Sequence, residues 1–265
     1  MNLMKNVIEA VLKKKELKGI DESIALKEIE RNLTSKTFEL IKKERFKSAE
    51  FKDFIKKVRA SLRRQFGAFN NPKIDRKELI KKKAYGEILM SHLSSKERMP
   101  YYKEVYDKIF SIIGKPDSII DLGCGFNPLS IEFMDYSPKK YLALDINADD
   151  LKIIQEYFRQ KKINGEAKVF DATELKNYDF NENFDACFAF KVFEIFEKTK
   201  SHRLTEDIVL RIPSKKIAAS FSTKTLSNAP MKRKRRIWFE VMAKRLGFRV
   251  DYFMIPNEIF YVLIK

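Results

Sequence analysis

Residues 118 to 130 read SIIDLGCGFNPLS, an apolar strand running directly into a glycine turn and then a helix that begins at Pro128. A strand, a tight turn and a helix in that order open a parallel α/β sheet, because the connection must cross a face of the sheet to return. Two of the three glycines of a dinucleotide fingerprint are present, Gly123 and Gly125. Pro128 stands where the third would allow close helix–sheet packing around a pyrophosphate. The turn is therefore compatible with a dinucleotide, with a nucleoside lacking phosphates, or with no ligand at all.

The remainder of the chain narrows that choice. From Pro116 onward strands alternate with helices: YLALDI (141–146), the helix NADDLKIIQEYFRQKK, AKVFDA (167–172), FDACFAF (184–190), a helical stretch around 199–211, and KKIAASFS (215–222). The helix KRRIWFEVMAKRLG then precedes two consecutive strands, RVDYFMI and EIFYVLI, separated only by Pro256 and Asn257. Alternation implies a doubly wound parallel sheet, and the closing pair implies an antiparallel hairpin at its edge. That finish belongs to a Rossmann-like, seven-stranded class I methyltransferase sheet rather than to an ordinary nicotinamide-binding one.

In such a sheet the ligand lies outside the carboxyl ends of the strands. Asp121 and Gly123 close the first strand, Asp145 with Ile146 the second, and Asp171 with Ala172 the third. An acid after the second strand can accept hydrogen bonds from both ribose hydroxyls, and the third strand end is where an adenine edge is read. Each acid alone is an ordinary turn former or cap. Three at successive strand ends, with an incomplete glycine fingerprint, point to S-adenosylmethionine.

Upstream, residues 1–85 carry apolar residues at helical spacing in NVIEAVLKKKEL, ESIALKEIERNL and SAEFKDFIKKVRASLRRQF, with Ser35 and Ser48 as candidate caps. GAFNNPKID (67–75) is turn chemistry, with Gly67, Asn70, Asn71 and Pro72. The expected organisation is a helical, basic RNA-binding module over 1–85 and a methyltransferase domain over 86–265. Net charge supports the first half of that reading. The chain carries +17, and residues 1–100 hold 26 Lys and Arg against 14 Asp and Glu, whereas the rest holds 28 against 23. Much of the latter excess sits in Lys232, Arg233, Lys234, Arg235 and Arg236. A surplus of this size favours a polyanionic partner such as nucleic acid.

Other classes receive little support. No apolar run approaches the roughly 20 residues of a membrane span, and the N-terminus lacks the apolar block of a signal peptide. Cys124 and Cys187 fall in or beside expected core strands, as reduced thiols of a cytoplasmic protein, and with two histidines no metal-ligand spacing exists.

Three segments resemble one family. SIIDLGCGFNPLS is similar to the glycine turn of the FmrO-type small-subunit (16S) ribosomal RNA methyltransferases, which include aminoglycoside-resistance enzymes. SHLSSKERMPYYKEVYDKIF (91–110) is similar to that family's His-x-Ser-Ser/Thr-x-Glu-Arg segment, and SFSTKTLS (220–227) to its Ser-Phe-Pro-x-Lys-Ser-Leu segment. The resemblance implies an enzyme in which Arg98 pairs with the cofactor carboxylate, while His92, Ser94 and Ser95 shape the adjoining pocket; a monomer is expected. It further implies that Gly123 passes under the methionine moiety, Asp145 holds the ribose, Phe190 and Lys191 end the strand where a target base docks, and Lys224 contacts RNA. Departures fall on the target side: Glu194 replaces a proline after the fourth strand, Ser222 replaces the Ser-Phe-Pro proline, and NAPMKRKRR replaces a glycine-containing stretch.

The methylated atom stays open at this point. Guanine N7 offers an in-plane lone pair and needs no proton removed, so it ranks first. An amino group such as cytosine N4 follows closely, with Glu194 as the available carboxylate. Cytosine C5 would need a cysteine nucleophile, and Cys187 lies inside a strand. Phe190 and Phe193 are candidates to stack on a flipped base. A transfer RNA substrate and a non-catalytic RNA-binding role are the alternatives.

Overall fold

The computed structural model describes residues 2–63, 74–178, 180–196, 201–225 and 229–265. Gly67, Asn70, Asn71 and Pro72 lie outside the described residues, as do the last two residues of SFSTKTLS.

Four helices come first: α1 (Asn2–Leu12), α2 (Glu22–Asn32), α3 (Ser35–Lys42) and α4 (Ala49–Leu62). Their apolar stripes meet in a core of their own that includes Val7, Val11, Leu17, Ile29, Phe54 and Val58. Ser48 caps α4 by accepting from the Phe51 amide. The cap of α3 is Thr34 rather than Ser35: Thr34 and Thr37 exchange side-chain and backbone hydrogen bonds in a capping box, and Ser35 becomes the first helical residue.

Four more helices follow, α5 (Arg76–Lys81), α6 (Tyr85–Met90), α7 (Leu93–Arg98) and α8 (Tyr102–Ile113). These share the core of the sheet. Ile80, Tyr85, Ile88, Tyr102 and Ile109 share one apolar cluster with Ile119 of the first strand, so the packing changes between Leu62 and Ile80.

The sheet comprises β1 (Ser118–Leu122), β2 (Lys140–Asp145), β3 (Gly165–Val169), β4 (Ala186–Phe190), β5 (Lys216–Ser222), β6 (Arg249–Ile255) and β7 (Glu258–Ile264), in the order β3-β2-β1-β4-β5-β7-β6. β1 pairs in parallel with both β2 and β4, and the strand order reverses there. β7 inserts antiparallel between β5 and β6. The two-residue turn Pro256–Asn257 that makes this possible puts Asn257 at φ 71°, a conformation asparagine tolerates. Every residue of β4 is buried, as expected for a central strand covered on both faces. α8 and α9 (Ala148–Lys161) cover one face, and α10 (Arg203–Arg211) with α11 (Ile237–Arg245) cover the other.

Two elements differ in detail from the sequence reading. The segment after Pro128 is a 3-10 helix, Asn127–Phe133. The third strand ends at Val169, before Asp171, because the Asp171 carboxylate accepts from the Thr173 amide and turns the chain into a short 3-10 helix over Ala172–Asn177. Among the described residues no helix is long and apolar enough to cross a membrane.

Candidate active site

The reversal between β1 and β4 opens a cleft that is partly open to solvent. At the centre is the glycine turn. Gly123 and Gly125 have φ values of 59° and 48°, which side-chain-bearing residues avoid. A Cβ on Gly123 would lie 2.4 Å from Val192 Cγ2, and one on Gly125 3.1 Å from the His92 ring. The turn is thus kept bare by its neighbours, and a ligand can approach the backbone closely. Asp145 braces it: its carboxylate accepts from the amides of Gly125 (2.9 Å) and Asn147 (3.1 Å) while also lining the cleft. Burial raises the Asp145 pKa against the pull of these amides.

One end of the cleft is formed by Asp145, Ile146, Asp150, Phe170, Asp171 and Ala172, three carboxylates around apolar surface in the manner of a nucleoside site. Asp150, Phe170, Val192 and Ile195 join the wall without a signal in the sequence. Asp150 sits a turn into α9 and reads as an N-terminal helix acid, and nothing in its spacing tells that it is reached from α5. The Arg76 guanidinium lies 3.4 Å from its carboxylate, donates to Ser91 Oγ (2.7 Å) and stacks over Phe126. Burial pushes Asp150 up to about 7 despite Arg76.

The other end carries His92, Ser94, Phe190 and Lys191. Burial, reinforced by the positive charges of Arg76, Arg98 and Lys191, brings the His92 pKa down to about 3, so its imidazole is neutral at physiological pH. Lys191, at φ 56°, turns its ammonium to Glu97 (2.7 Å) and Glu258 (3.4 Å).

Arg98 lies beneath this end, 2% exposed, and is absent from the cleft wall. Its fork is occupied by Glu258 (2.7 and 3.3 Å), Asn127 Oδ1, Tyr102 and Ser94 Oγ (3.4 Å), and its plane rests against Phe190. The expected direct contact with a cofactor carboxylate therefore meets a guanidinium already engaged by an acid from β7. Burial opposes ionisation of Glu258, but Arg98 and Lys191 more than offset it and hold its pKa below the usual carboxylate value. Ser95 is buried as well. Asp121 also stands behind the wall, 1% exposed, taking hydrogen bonds from Asn127 (2.9 Å) and Tyr141 (2.6 Å).

On the target side Glu194 is not in the cleft lining. It pairs with Arg236 at 2.5 Å and accepts from the Ser222 amide. Phe193 is fully buried against Phe221 and Phe239, so it belongs to the core and cannot stack on a base. Phe190 reaches the cleft but is held between Arg98, Phe188 and Phe260. Cys187 is buried in β4, and burial pushes its thiol well up. The basic cluster divides. Lys232, Arg233 and Lys234 are exposed; Arg235 is exposed too but pairs with Glu240 and stacks on Tyr252, and the Arg236 side chain is only 12% exposed in its pair with Glu194. Lys224 is half-buried at a backbone bridge to Pro230.

Strand order and cleft together define a class I methyltransferase fold. The family model for ribosomal RNA methyltransferases (FmrO) matches residues 56–262, and the chain belongs to that family. It is 28% identical over 177 residues to a 16S rRNA (guanine(1405)-N(7))-methyltransferase of Micromonospora rosea, covering 66% of this chain and 63% of that one. A protein of the same name from Frankia casuarinae is 25% identical over 183 residues, again with 63% of its length covered. The chain thus spans a little under two thirds of these relatives. Among solved structures, the 16S rRNA methylase RmtB superposes with a TM-score of 0.75 at 21% identity, covering 100% of this chain and 99% of the other. RmtF, solved in complex with S-adenosyl-L-homocysteine, gives 0.74 at 20% identity, covering 100% and 99%. At that identity the likeness is one of fold, and it extends over the N-terminal helices that the family model does not reach.

Asp121 yields a test of the buried electrostatics. Burial pushes its pKa up to about 7, opposed by the Asn127 and Tyr141 hydrogen bonds, from 3.8 in the free side chain. Between those values the folded protein retains a proton that the unfolded chain has released, so this group's contribution to stability declines as pH rises from about 4 to 7. Asp121→Asn, which keeps an acceptor for both donors, should remove that component. Urea unfolding from pH 4 to 8 is expected to show the variant gaining on the wild type as pH rises; parallel curves would show that Asp121 stays ionised when buried.

Proposed function

We propose that this chain transfers a methyl group from S-adenosylmethionine to a base nitrogen of small-subunit ribosomal RNA, with guanine N7 as the acceptor. Family membership and the activity for which the relatives are named support the reaction class. The observation that carries the atom is the composition of the target end. Among the described residues there, Phe190, Val192 and Ile195 are apolar, Ser94 is not basic, Lys191 is ion-paired, burial holds the His92 pKa at about 3, and the nearby Glu194 is bound to Arg236. None of these side chains is placed to take a proton from an exocyclic amine. Guanine N7 needs none removed.

The residues fit the cofactor. Asp145 suits the ribose hydroxyls, and Asp171 the adenine amine, with Ile146, Phe170 and Ala172 as apolar walls. The bare turn at Gly123 and Gly125 would leave room for the amino-acid tail, and Ser94, His92 and Lys191 would hold its charged end. Arg98 would act there from below, by fixing Ser94 while it stays paired with Glu258. When bound, the cofactor supplies an electrophilic methyl on a sulfonium. The protein's part is to hold the acceptor nitrogen close and in line, where positioning alone can supply much of the rate. His92, its pKa lowered by burial, would add no positive charge to the site.

RNA contact is assigned to α1–α4, which supply a basic module for phosphates, and to the exposed Lys232, Arg233 and Lys234 with Lys224 on the target rim. Such contacts position a duplex or loop without reading its sequence. Burial of Cys187 is against C5 chemistry.

The direct experiment offers labelled S-adenosylmethionine with purified small subunits, large subunits and transfer RNA, followed by nucleoside mass spectrometry. One 7-methylguanosine in small-subunit RNA is the expected product. N4-methylcytidine would move the acceptor, label confined to transfer RNA would change the substrate, and cofactor binding without label would leave a non-catalytic RNA-binding protein. Asp145→Ala should abolish cofactor binding in calorimetry while leaving RNA affinity nearly unchanged; joint loss would make Asp145 a structural brace only. Replacing Lys232, Arg233 and Lys234 by Ala should lower the slope of log K against log salt by about 0.7–0.9 for each phosphate that is no longer neutralised. Arg235→Ala and Arg236→Ala should act mainly on stability, because both guanidinia are occupied by carboxylates.

A further inference from the structure

The nucleoside end of the cleft is made by two loops, one leaving β2 and one leaving β3, and each is held from its far side by the N-terminal helical unit. The first tie is backbone. The Asp21 amide donates to the Ile146 carbonyl (3.2 Å), the Asp149 amide to the Gly19 carbonyl (3.4 Å), and Ile20 bridges Asn147. Gly19 is at φ 95°, and a Cβ there would lie 2.6 Å from Asn147 Oδ1, so the approach needs glycine.

The second tie is one side chain. Arg31, near the end of α2, directs Nη2 to Asp171 Oδ2 (3.3 Å), Thr173 Oγ1 (3.0 Å) and Glu174 Oε1 (2.7 Å). Its Nη1 lies 3.6 Å from the buried Glu28 of its own helix. The other oxygen of Asp171 accepts from the Thr173 amide and hydroxyl, and its side chain is 5% exposed. One guanidinium therefore spans the whole start of the loop that bears Asp171 and Ala172, both in the cleft wall. An ion pair with a nearly buried acid is screened far less than a surface pair. Residue 31 precedes the segment matched by the family model.

We propose that Arg31 is a positioning residue for the cofactor: by holding the Asp171–Glu174 loop it sets the adenine-reading edge of the cleft, and it thereby couples docking of the N-terminal helical unit to cofactor occupancy. The inference rests on the S-adenosylmethionine reading above. Coupling of this kind is reciprocal: a cofactor that favours the ordered loop also favours the docked helices. The unit that carries the basic surface is then seated best when the methyl donor is in place.

Calorimetric titration of the full chain with S-adenosylmethionine tests this, using wild type, Arg31→Ala, Arg31→Lys, Glu174→Gln and the Arg31→Ala/Glu174→Gln double variant. Arg31→Ala should weaken cofactor binding about tenfold. Arg31→Lys should recover part of the loss, since an ammonium keeps the charge but not the fork. Glu174→Gln should have a smaller effect, and the double variant should be no weaker than Arg31→Ala alone. Hydrogen exchange supplies a second readout: cofactor should slow amide exchange in 19–21 and 171–174 of the wild type, and lose that effect on 19–21 in Arg31→Ala. Wild-type affinity in Arg31→Ala, or losses that simply add in the double variant, would overturn the proposal. Should Arg31→Ala fail to fold, wild-type affinity in both Arg31→Lys and Glu174→Gln would overturn it equally. A wild type that does not bind the cofactor would instead sink the reading on which the proposal rests.

Discussion

Glu258 is the group on which the sheet-bearing half of the molecule turns. It is 1% exposed and bonds Arg98 from α7, Lys191 at the end of β4 and Ser220 of β5. Two buried cations and a buried anion cannot be placed independently, because each carries a desolvation cost that only the others offset. The antiparallel insertion of β7 is what delivers the carboxylate there. Ser220 carries the arrangement further, donating to Glu258 through its hydroxyl and accepting from the Lys191 amide at the same atom. The left-handed conformation of Lys191 is held in this way, and with it the direction in which the chain leaves β4 along the cleft.

That arrangement changes how the cleft handles charge. An arginine facing the cleft would be a hydrated, movable cation. With its fork committed to Glu258, Arg98 is instead a fixed part of the floor, and Ser94 is the group that joins it to the wall. At the opposite end the carboxylates are disposed differently. Asp145 is met by backbone amides, and Asp150 by an arginine far away in sequence, with raised pKa values in both. The cleft thus places acids that burial raises at the nucleoside end and cations already neutralised at the other, a distribution suited to a ligand that is neutral in its sugar and charged in its tail.

Much of the sheet is legible in the chain because β1, β4 and β5 are short apolar runs bounded by turn residues, and because two strands split only by Pro256 and Asn257 can hardly be anything but a hairpin. The glycine turn and the strand-end acid Asp145 are legible for a similar reason: a parallel sheet puts successive strand ends side by side. What periodicity does not carry is partnership between distant residues. Nothing near Arg98 indicates that an acid 160 residues later will occupy its fork, nor does the spacing of Asp150 point to Arg76. Phe193 and Phe190 read alike in sequence, yet one turns into the core and the other to the cleft, since the turn at Lys191 reverses which face follows. KRKRR reads as a uniform basic run, but Glu194 and Glu240 withdraw two of its five charges.

Glu194 shows the same principle from the target side. As a residue in place of the family's proline it suggests a free carboxylate near the acceptor. In the fold it anchors Arg236, which also donates to the Ser222 carbonyl, so the segment after β4 is tied to the segment after β5 by an ion pair. All three target-side departures meet in or beside this contact: Glu194 is one partner, Ser222 supplies backbone to both, and Arg236 comes from the stretch that replaces the glycine-containing one. They are best understood as one compensated change in how the target rim is fastened, with proline rigidity exchanged for an ion pair, rather than as three separate alterations of chemistry. On that view the rim can depart from the family pattern in sequence while the Phe190, Val192 and Ile195 wall of the cleft beside it is left unaltered.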